Sequence, residues 1–406
     1  LYKDSLVMTR PSRGLIPACA ASLVLLAATA CGPFGDDGKA ADDGGPAFTV
    51  AAAGDILIHP KLTEQARKDA KATGKGEQGI DFAPMLAGIK PVISKADLAI
   101  CHFEPVVGEP GGPFQGFPDF VVPPQITTAV KGVGYDQCSS VSNHSLDHGP
   151  EGVTRTLNAL DKVGLRHTGT ARNQAEADKP LITKVKGVKV GQIAFALGFN
   201  GREVPKDKPW LANLTDFDRI AAAEKKARAA GADVVILSIH WGKEHQPNAA
   251  AQQVELGRRI AKETGIDLVV GHHAHVVQPM EKVDGTWIAY GLGNQIARHD
   301  APSGLTEEGV IGWFEFHKRG GKWDVDAKYV PTFTELPPDP DESDRLPKGA
   351  VQNNRLLTVT DALRNGDKLS DQQRARYRLA FERTEGTLLN RGGGKDGLEP
   401  LEKLPD

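Results

Sequence analysis

Acidic, amide and imidazole side chains recur in this sequence directly after apolar, strand-like runs, and chemistry can be built there. Asp55 follows "TVAAAG", Glu104 follows "LAICHF", and Asn143 and His144 follow "CSSVS"; His240 follows "VVILSI", and His273 and His275 follow "DLVVG". In open α/β sheets the carboxyl ends of the strands converge on one crevice, where ligands bind. The two carboxylates, the amide oxygen of Asn143 and the imidazoles of His240, His273 and His275 delivered there make a mixed oxygen and nitrogen donor set. No cysteine belongs to it, which suits Mn, Fe or Zn better than a soft metal ion. A lone aspartate after glycine is ordinarily a turn residue, and a lone histidine after a strand is ordinarily structural. The joint placement carries the reading. In "VVGHHAHVVQ" the H-x-H spacing places His273 and His275 on one side of an extended segment, with His272 a bystander.

The elements that must position these residues alternate along the chain. "ADVVILSIHWG" is a continuous β-branched run, as expected of a strand buried on both faces. "PEGVTRTLNALDKVG" carries Val153, Leu157, Leu160 and Val163 at helical spacing, with Pro150 at its start. "LITKVKGVKVGQIAFALGF" and "VIGWFEFHKRGGKWDVDAKYV" read as hairpins. Thr215 is expected to cap the helix "DFDRIAAAEKKARAAG", which Gly231 ends. "PMLAGIKPVISKA" reads as one helix interrupted by Pro91. The whole is α/β, with mixed sheets covered by helices. "PVVGEPGGPFQGFPDFVVPP" is expected to be a structureless loop of a length that is often functional, and it is read as a substrate-side loop. Residues 336–406 are read as a linker and a helical tail, frayed from residue 391, with no visible chemistry.

With 406 residues, 40% hydrophobic and 25% charged, the chain has room for one large or two modest domains. Its net charge of -3 and lack of a basic stripe argue against nucleic acid as a partner. Met8 is a plausible start, with Leu1 to Val7 an upstream extension. Arg10 and Arg13 precede the apolar "LIPACAASLVLLAAT", and "AATAC" ends in Cys31. The apolar run is short for a spanning helix. Residues 1–30 read as a lipoprotein-like signal peptide with Cys31 lipidated; the alternative is plain secretion after cleavage near Ala30. Residues 31–47 form a Gly/Asp-rich flexible tether. Several acyl chains on Cys31 would anchor the protein on the extracytoplasmic face of the cell membrane. Cys101 and Cys138 remain either as a disulfide, which an oxidising location permits, or as two buried thiols.

Six segments, "GDILIH", "HFEPVVG", "SNHSLDHG", "HWGKEH", "GHHAHVVQ" and "GLGN", follow one another in an order that resembles the CapA-type poly-gamma-glutamate capsule biosynthesis proteins. The resemblance runs from Phe48 to Thr334, within a domain of residues 48–335. It implies a calcineurin-like fold, the four-layer α/β/β/α sandwich of the metallo-dependent phosphatases, with two divalent metal ions. By the same resemblance Asp55 and His275 bind the first metal, and Asn143, His240 and His273 the second, while Glu104 takes the bridging place. His144 becomes a general acid oriented by Asp147. Two metals so held clamp attacking and leaving oxygens and acidify a bound water. The chain departs from the pattern at His59, four residues after Asp55 where Asp-x-His is usual, and at His102, where the family shows asparagine. Both are additional candidate ligands. His245 stands where the family usually has tyrosine. The resemblance implies a membrane-anchored protein in the biosynthesis of poly-gamma-glutamate or a related capsule or cell-surface polymer. Its implied partners are an anionic polymer substrate and a polymer-synthesis membrane complex. The alternatives are a metal-dependent phosphoesterase or other hydrolase unrelated to capsule, and a solute-binding lipoprotein.

Overall fold

The computed structural model describes residues 47–299, 303–338 and 351–404. The expected signal peptide, Cys31 and residues 32–46 of the tether lie outside these residues. Among the described residues, no helix is long and apolar enough to cross a membrane.

The chain runs β1 (Phe48–Ile56), α1 (Pro60–Thr73), α2 (Ala83–Leu86), α3 (Lys90–Ile93), β2 (Leu98–Phe103), β3 (Val106–Val107), β4 (Val121–Val122), α4 (Gln125–Val133), β5 (Gln137–Ser139), α5 (Gly149–Lys162) and β6 (Arg166–Thr168). It continues with α6 (Gln174–Ala177), β7 (Leu181–Val185), β8 (Val188–Ala196), α7 (Phe217–Ala229), β9 (Val234–His240), α8 (Ala251–Glu263), β10 (Leu268–His272), β11 (Met280–Val283), β12 (Thr286–Ala289) and β13 (Asn294–Ile296). Then come β14 (Glu308–Arg319), β15 (Lys322–Glu335), β16 (Arg355–Thr358), α9 (Val359–Arg364), α10 (Asp371–Leu388) and β17 (Glu399–Pro400).

Two sheets carry the architecture. One has the order β16-β15-β14-β1-β2-β5-β6, with β13 on β1 and β17 on β15; the other runs β11-β12-β10-β9-β8-β7. β1, β2, β5 and β6 are parallel, as are β8, β9, β10 and β12. Alternate residues of the central strands face different cores. Val50 and Ala52 of β1 pack with Val234 and Ile236 of β9 between the sheets. Ala51 and Ala53 face Leu62 and Ala66 of α1 on one outer side. Val235, Leu237 and Ile239 face Ile220 of α7 and Ile260 of α8 on the other. Both faces of each central strand are therefore buried, which is why these strands read as unbroken apolar runs. The result is the expected α/β/β/α sandwich.

Several local expectations change. The helix before β9 is capped by Asp216, whose side chain accepts from Arg219 N–H, rather than by Thr215. A carboxylate so placed satisfies an orphan donor and meets the positive end of the helix. The segment around Pro91 is two short helices, with Pro91 in the first turn of α3, where a missing N–H is harmless. The long loop is not structureless: β3 and β4 pair within it, Val106 opposite Val121. The tail also carries strands. β16 and β17 both pair with β15, and Val359, Tyr377 and Ala380 bury Phe333. Residues 393–400 form a 3-10 turn and β17 rather than a frayed end. Cys101 and Cys138 sit directly opposite each other on β2 and β5 and are joined as a disulfide.

Candidate metal centre

Register brings the donors together. β1 pairs with β2 so that Asp55 lies beside His102; β2 pairs with β5 so that His102 lies beside Ser139; β10 pairs with β9 so that His272 lies beside His240. The carboxyl ends of the two parallel arrays thus open on the same place. Two glycines allow the close approach. A Cβ on Gly54 would lie 2.0 Å from the Gly293 carbonyl, and one on Gly271 would lie 2.0 Å from the Tyr290 carbonyl. Gly271 is part of β10 and is required by this contact, not by a turn.

Asp55 is fully buried. Its Oδ1 lies 3.2 Å from His272 Nδ1 and its Oδ2 lies 3.3 Å from His275 Nδ1; Oδ2 also accepts the His273 N–H at 3.1 Å. Burial opposes its charge, but the imidazoles of His272 and His275 override this and hold it well below the usual carboxylate range. Glu104 is equally buried, yet neither of its oxygens has a hydrogen-bond partner. Burial pushes its carboxyl well up, against the opposing pull of His275, whose Nε2 stands 3.7 Å away. Burial alone would lower His275, but Glu104 and Asp55 raise it to about 10. Asn294 fixes that ring by accepting from Nδ1 at 2.9 Å.

A line of hydrogen bonds runs beside this pair. Ser139 Oγ meets His102 Nδ1 at 2.7 Å, His102 Nε2 meets His240 Nδ1 at 2.9 Å, and His240 Nε2 meets Asn143 Oδ1 at 3.0 Å. His272 stacks on His102 with ring centroids 4.0 Å apart. Two groups have ligand atoms that all lie within 4.8 Å of one another: Asp55, Glu104 and His275, and Asp55, His102 and His240. Asp55 belongs to both.

His144 and Asp147 form the remaining pair. His144 Nδ1 lies 2.7 Å from Asp147 Oδ2, which also accepts the Phe120 N–H at 2.8 Å. The Asp147 side chain is fully buried, and Arg202 Nη1 approaches its other oxygen at 3.4 Å. His144, Asn143 and His275 line a cleft of about 760 Å³, together with His59, His245 and His299.

The structure therefore gathers Asp55, Glu104, Asn143, His240, His275 and His102 in one cluster, with His144 and Asp147 at the cleft beside it. His273 contributes its backbone N–H to Asp55 and sets its ring 4.6 Å from His240. His59 is set apart, its Nδ1 taking the Arg298 N–H at 3.2 Å and its ring against His299 and Phe120. His272, expected to be no ligand itself, touches both Asp55 and His102. His273 and His275 do not share one side of an extended segment as expected: both have positive φ, +93° and +56°, so the segment is not extended and the two-residue period does not apply. Asn294, Asn200, Arg202 and His299 escaped the sequence reading. Asn294 lies in the quoted "GLGN" segment, which is the signal that marks it.

A divalent cation fits this donor set. Two Glu104 oxygens without a hydrogen-bond partner, Asp55 in common to both groups, and the imidazoles of His102 and His240, which burial holds well below the ordinary histidine range, converge here. Neutral imidazole and ionised carboxylate are the forms that ligate, and oxygen with nitrogen donors suits a borderline transition ion.

An α/β/β/α sandwich with candidate metal ligands at its strand ends is the class that fold and site define. The chain belongs to the bacterial capsule synthesis protein PGA_cap family, which matches residues 49–299. It is similar to the PGA biosynthesis protein CapA of Bacillus subtilis, 29% identical over 48% of this chain and 51% of that protein. It is also similar to the capsule biosynthesis protein CapA of Bacillus anthracis, 25% identical over 61% of this chain and 59% of that protein. The aligned region thus spans a little over half the length of these relatives. Among solved structures, the calcineurin-like phosphoesterase YfkN of Bacillus subtilis aligns with 83% of this chain and 96% of its own, at 16% identity and a TM-score of 0.41.

Proposed function

We propose that this protein acts in the biosynthesis of a cell-surface anionic polymer such as poly-gamma-glutamate. In this reading it is tethered through Cys31 to the extracytoplasmic face of the membrane, beside a polymer-synthesis complex, and holds two divalent metal ions. The observation that supports it is the buried Glu104 carboxylate without a hydrogen-bond partner, set among Asp55, His275, His102 and His240 in a chain of this family. Asp55, Glu104 and His275 would hold one ion, and His240 and Asn143 the other, with His102, His272 and His273 adjoining. Elemental analysis of the purified protein should find retained Mn, Fe or Zn, lost in Asp55→Ala. A deletion strain should show reduced surface polymer. Retention of metal by Asp55→Ala together with unchanged polymer would sink the proposal.

The His144–Asp147 pair favours a second reading, a metal-dependent phosphoesterase. Bound ions would activate a water and stabilise charge on a phosphoryl oxygen. Asp147 accepts the Nδ1 proton of His144, so the imidazolium form of the ring would present its Nε2–H to a leaving group and pass that proton to it. Phe120 packs its ring edgewise on His144, with centroids 4.7 Å apart, and limits its rotation. Hydrolysis of bis-p-nitrophenyl phosphate by wild type, abolished in Asp55→Ala and strongly reduced in His144→Ala, is the expected result. No hydrolysis with any retained metal argues against this reading.

A further inference from the structure

The loop between β3 and β4 ends in a tip that is pinned from every side. Gln115 and Val121 exchange two backbone hydrogen bonds, each 3.0 Å, and close a turn over residues 116–120. The Gln115 side chain donates to the Asp119 carbonyl at 2.7 Å. Arg202 holds Asp119 Oδ1 at 2.5 Å and reaches Asp147, while the Phe120 N–H is given to Asp147. Gly116 lies so close to Pro60 that an added Cβ would sit 2.7 Å from its Cδ. The two aromatics of the tip have different fates. Phe120 is buried between His59 and His144. Phe117, three residues away, is 80% exposed and lines the cleft that His144 and His275 also line.

A single exposed phenylalanine is ordinary on a protein surface. This one is presented by a turn whose freedom has been removed by an ion pair and several hydrogen bonds. Covering such a side chain is favourable, and the fold leaves that gain unused at the mouth of its donor cluster. We infer that Phe117 is a specificity-determining residue. Its ring forms an apolar wall at the cleft rim against which a planar or apolar substituent of an oxyanion substrate packs. The oxyanion itself goes to the ions that the buried donor cluster would hold, and the Arg202–Asp119 ion pair holds the wall in place. This rests on the reading of the cleft as a phosphoryl-binding site.

The test is calorimetric binding of inorganic phosphate and phenyl phosphate to the protein loaded with Mn²⁺, for wild type, Phe117→Ala and Phe117→Trp. Wild type should prefer phenyl phosphate. Phe117→Ala should lose about three- to tenfold of that preference, and Phe117→Trp should keep it. An equal preference in wild type and Phe117→Ala, or none in wild type, overturns the inference and leaves the phosphoryl site standing. Wild type that binds neither probe overturns the site reading and the inference with it.

Discussion

Glu104 Oε1 lies 3.7 Å from His275 Nε2, and neither Glu104 oxygen accepts a hydrogen bond from any group of the described protein. A buried carboxylate in that state is destabilising unless a cation compensates it. Glu104→Gln should therefore have opposite effects on two forms of the protein. Stripped of metal, the variant should melt higher than stripped wild type. On adding Mn²⁺ at a hundredfold excess over its dissociation constant, wild type should gain about 5 °C and the variant little. Scanning calorimetry with and without chelator reads both, and a variant that responds to Mn²⁺ like wild type refutes the assignment.

The Cys101–Cys138 disulfide ties β2 to β5 immediately before His102 and Ser139. It closes a loop with a sequence separation of 37 residues. Replacing both cysteines by alanine should lower stability by about 2–4 kcal/mol, chiefly by freeing the unfolded chain. Urea denaturation measures this, and thiol counting on the denatured wild type should find neither cysteine reactive before reduction.

Gly271→Ala tests the contact that seats the histidines. The new Cβ would stand 2.0 Å from the Tyr290 carbonyl oxygen and 2.6 Å from Trp241 Nε1. The neighbouring strand must move, at a cost of about 1–3 kcal/mol or more, and His272 moves with β10. Lower stability together with lower metal content is the expected pair of results. Normal metal content in a destabilised variant would separate packing from the site.

Glu281 sets a pH dependence remote from the candidate metal centre. Arg258 donates to both its oxygens, at 3.0 and 2.9 Å, and the Tyr290 hydroxyl donates at 2.6 Å. Burial opposes its charge, but these bonds prevail and hold its pKa below the ordinary glutamate value. A depressed folded pKa means stability that is present above the unfolded value, about 4.3, and is lost as pH falls through the folded one. Wild type should melt above Glu281→Gln at pH 7, with the two melting temperatures converging in acid. Parallel curves down to pH 3 would contradict the assignment.

Much of the scaffold was legible because both faces of the central strands are buried. An unbroken run such as "VVILSI" follows from that burial, and so does the position of His240 at its end. Asp55, Glu104 and Asn143 were legible for the same reason: each stands where an apolar run stops. The helix cap at Asp216 and the strands of the tail were not. A cap depends on which of two adjacent polar residues turns its side chain to the N–H groups. β16 and β17 are short and make sense only once β15 offers them an edge.

The sequence by itself determined the layer pattern, the strand ends and the types of donor placed there, since periodicity and burial are written locally along the chain. Only the tertiary structure decided which histidines meet which carboxylate. His272 and His275 turn their rings to Asp55, while His273, at positive φ, offers it a backbone N–H. His102 joins His240 because separate sheets bring their strand ends together. Backbone handedness at single residues and register between distant strands are set by packing, and no spacing along the chain encodes them.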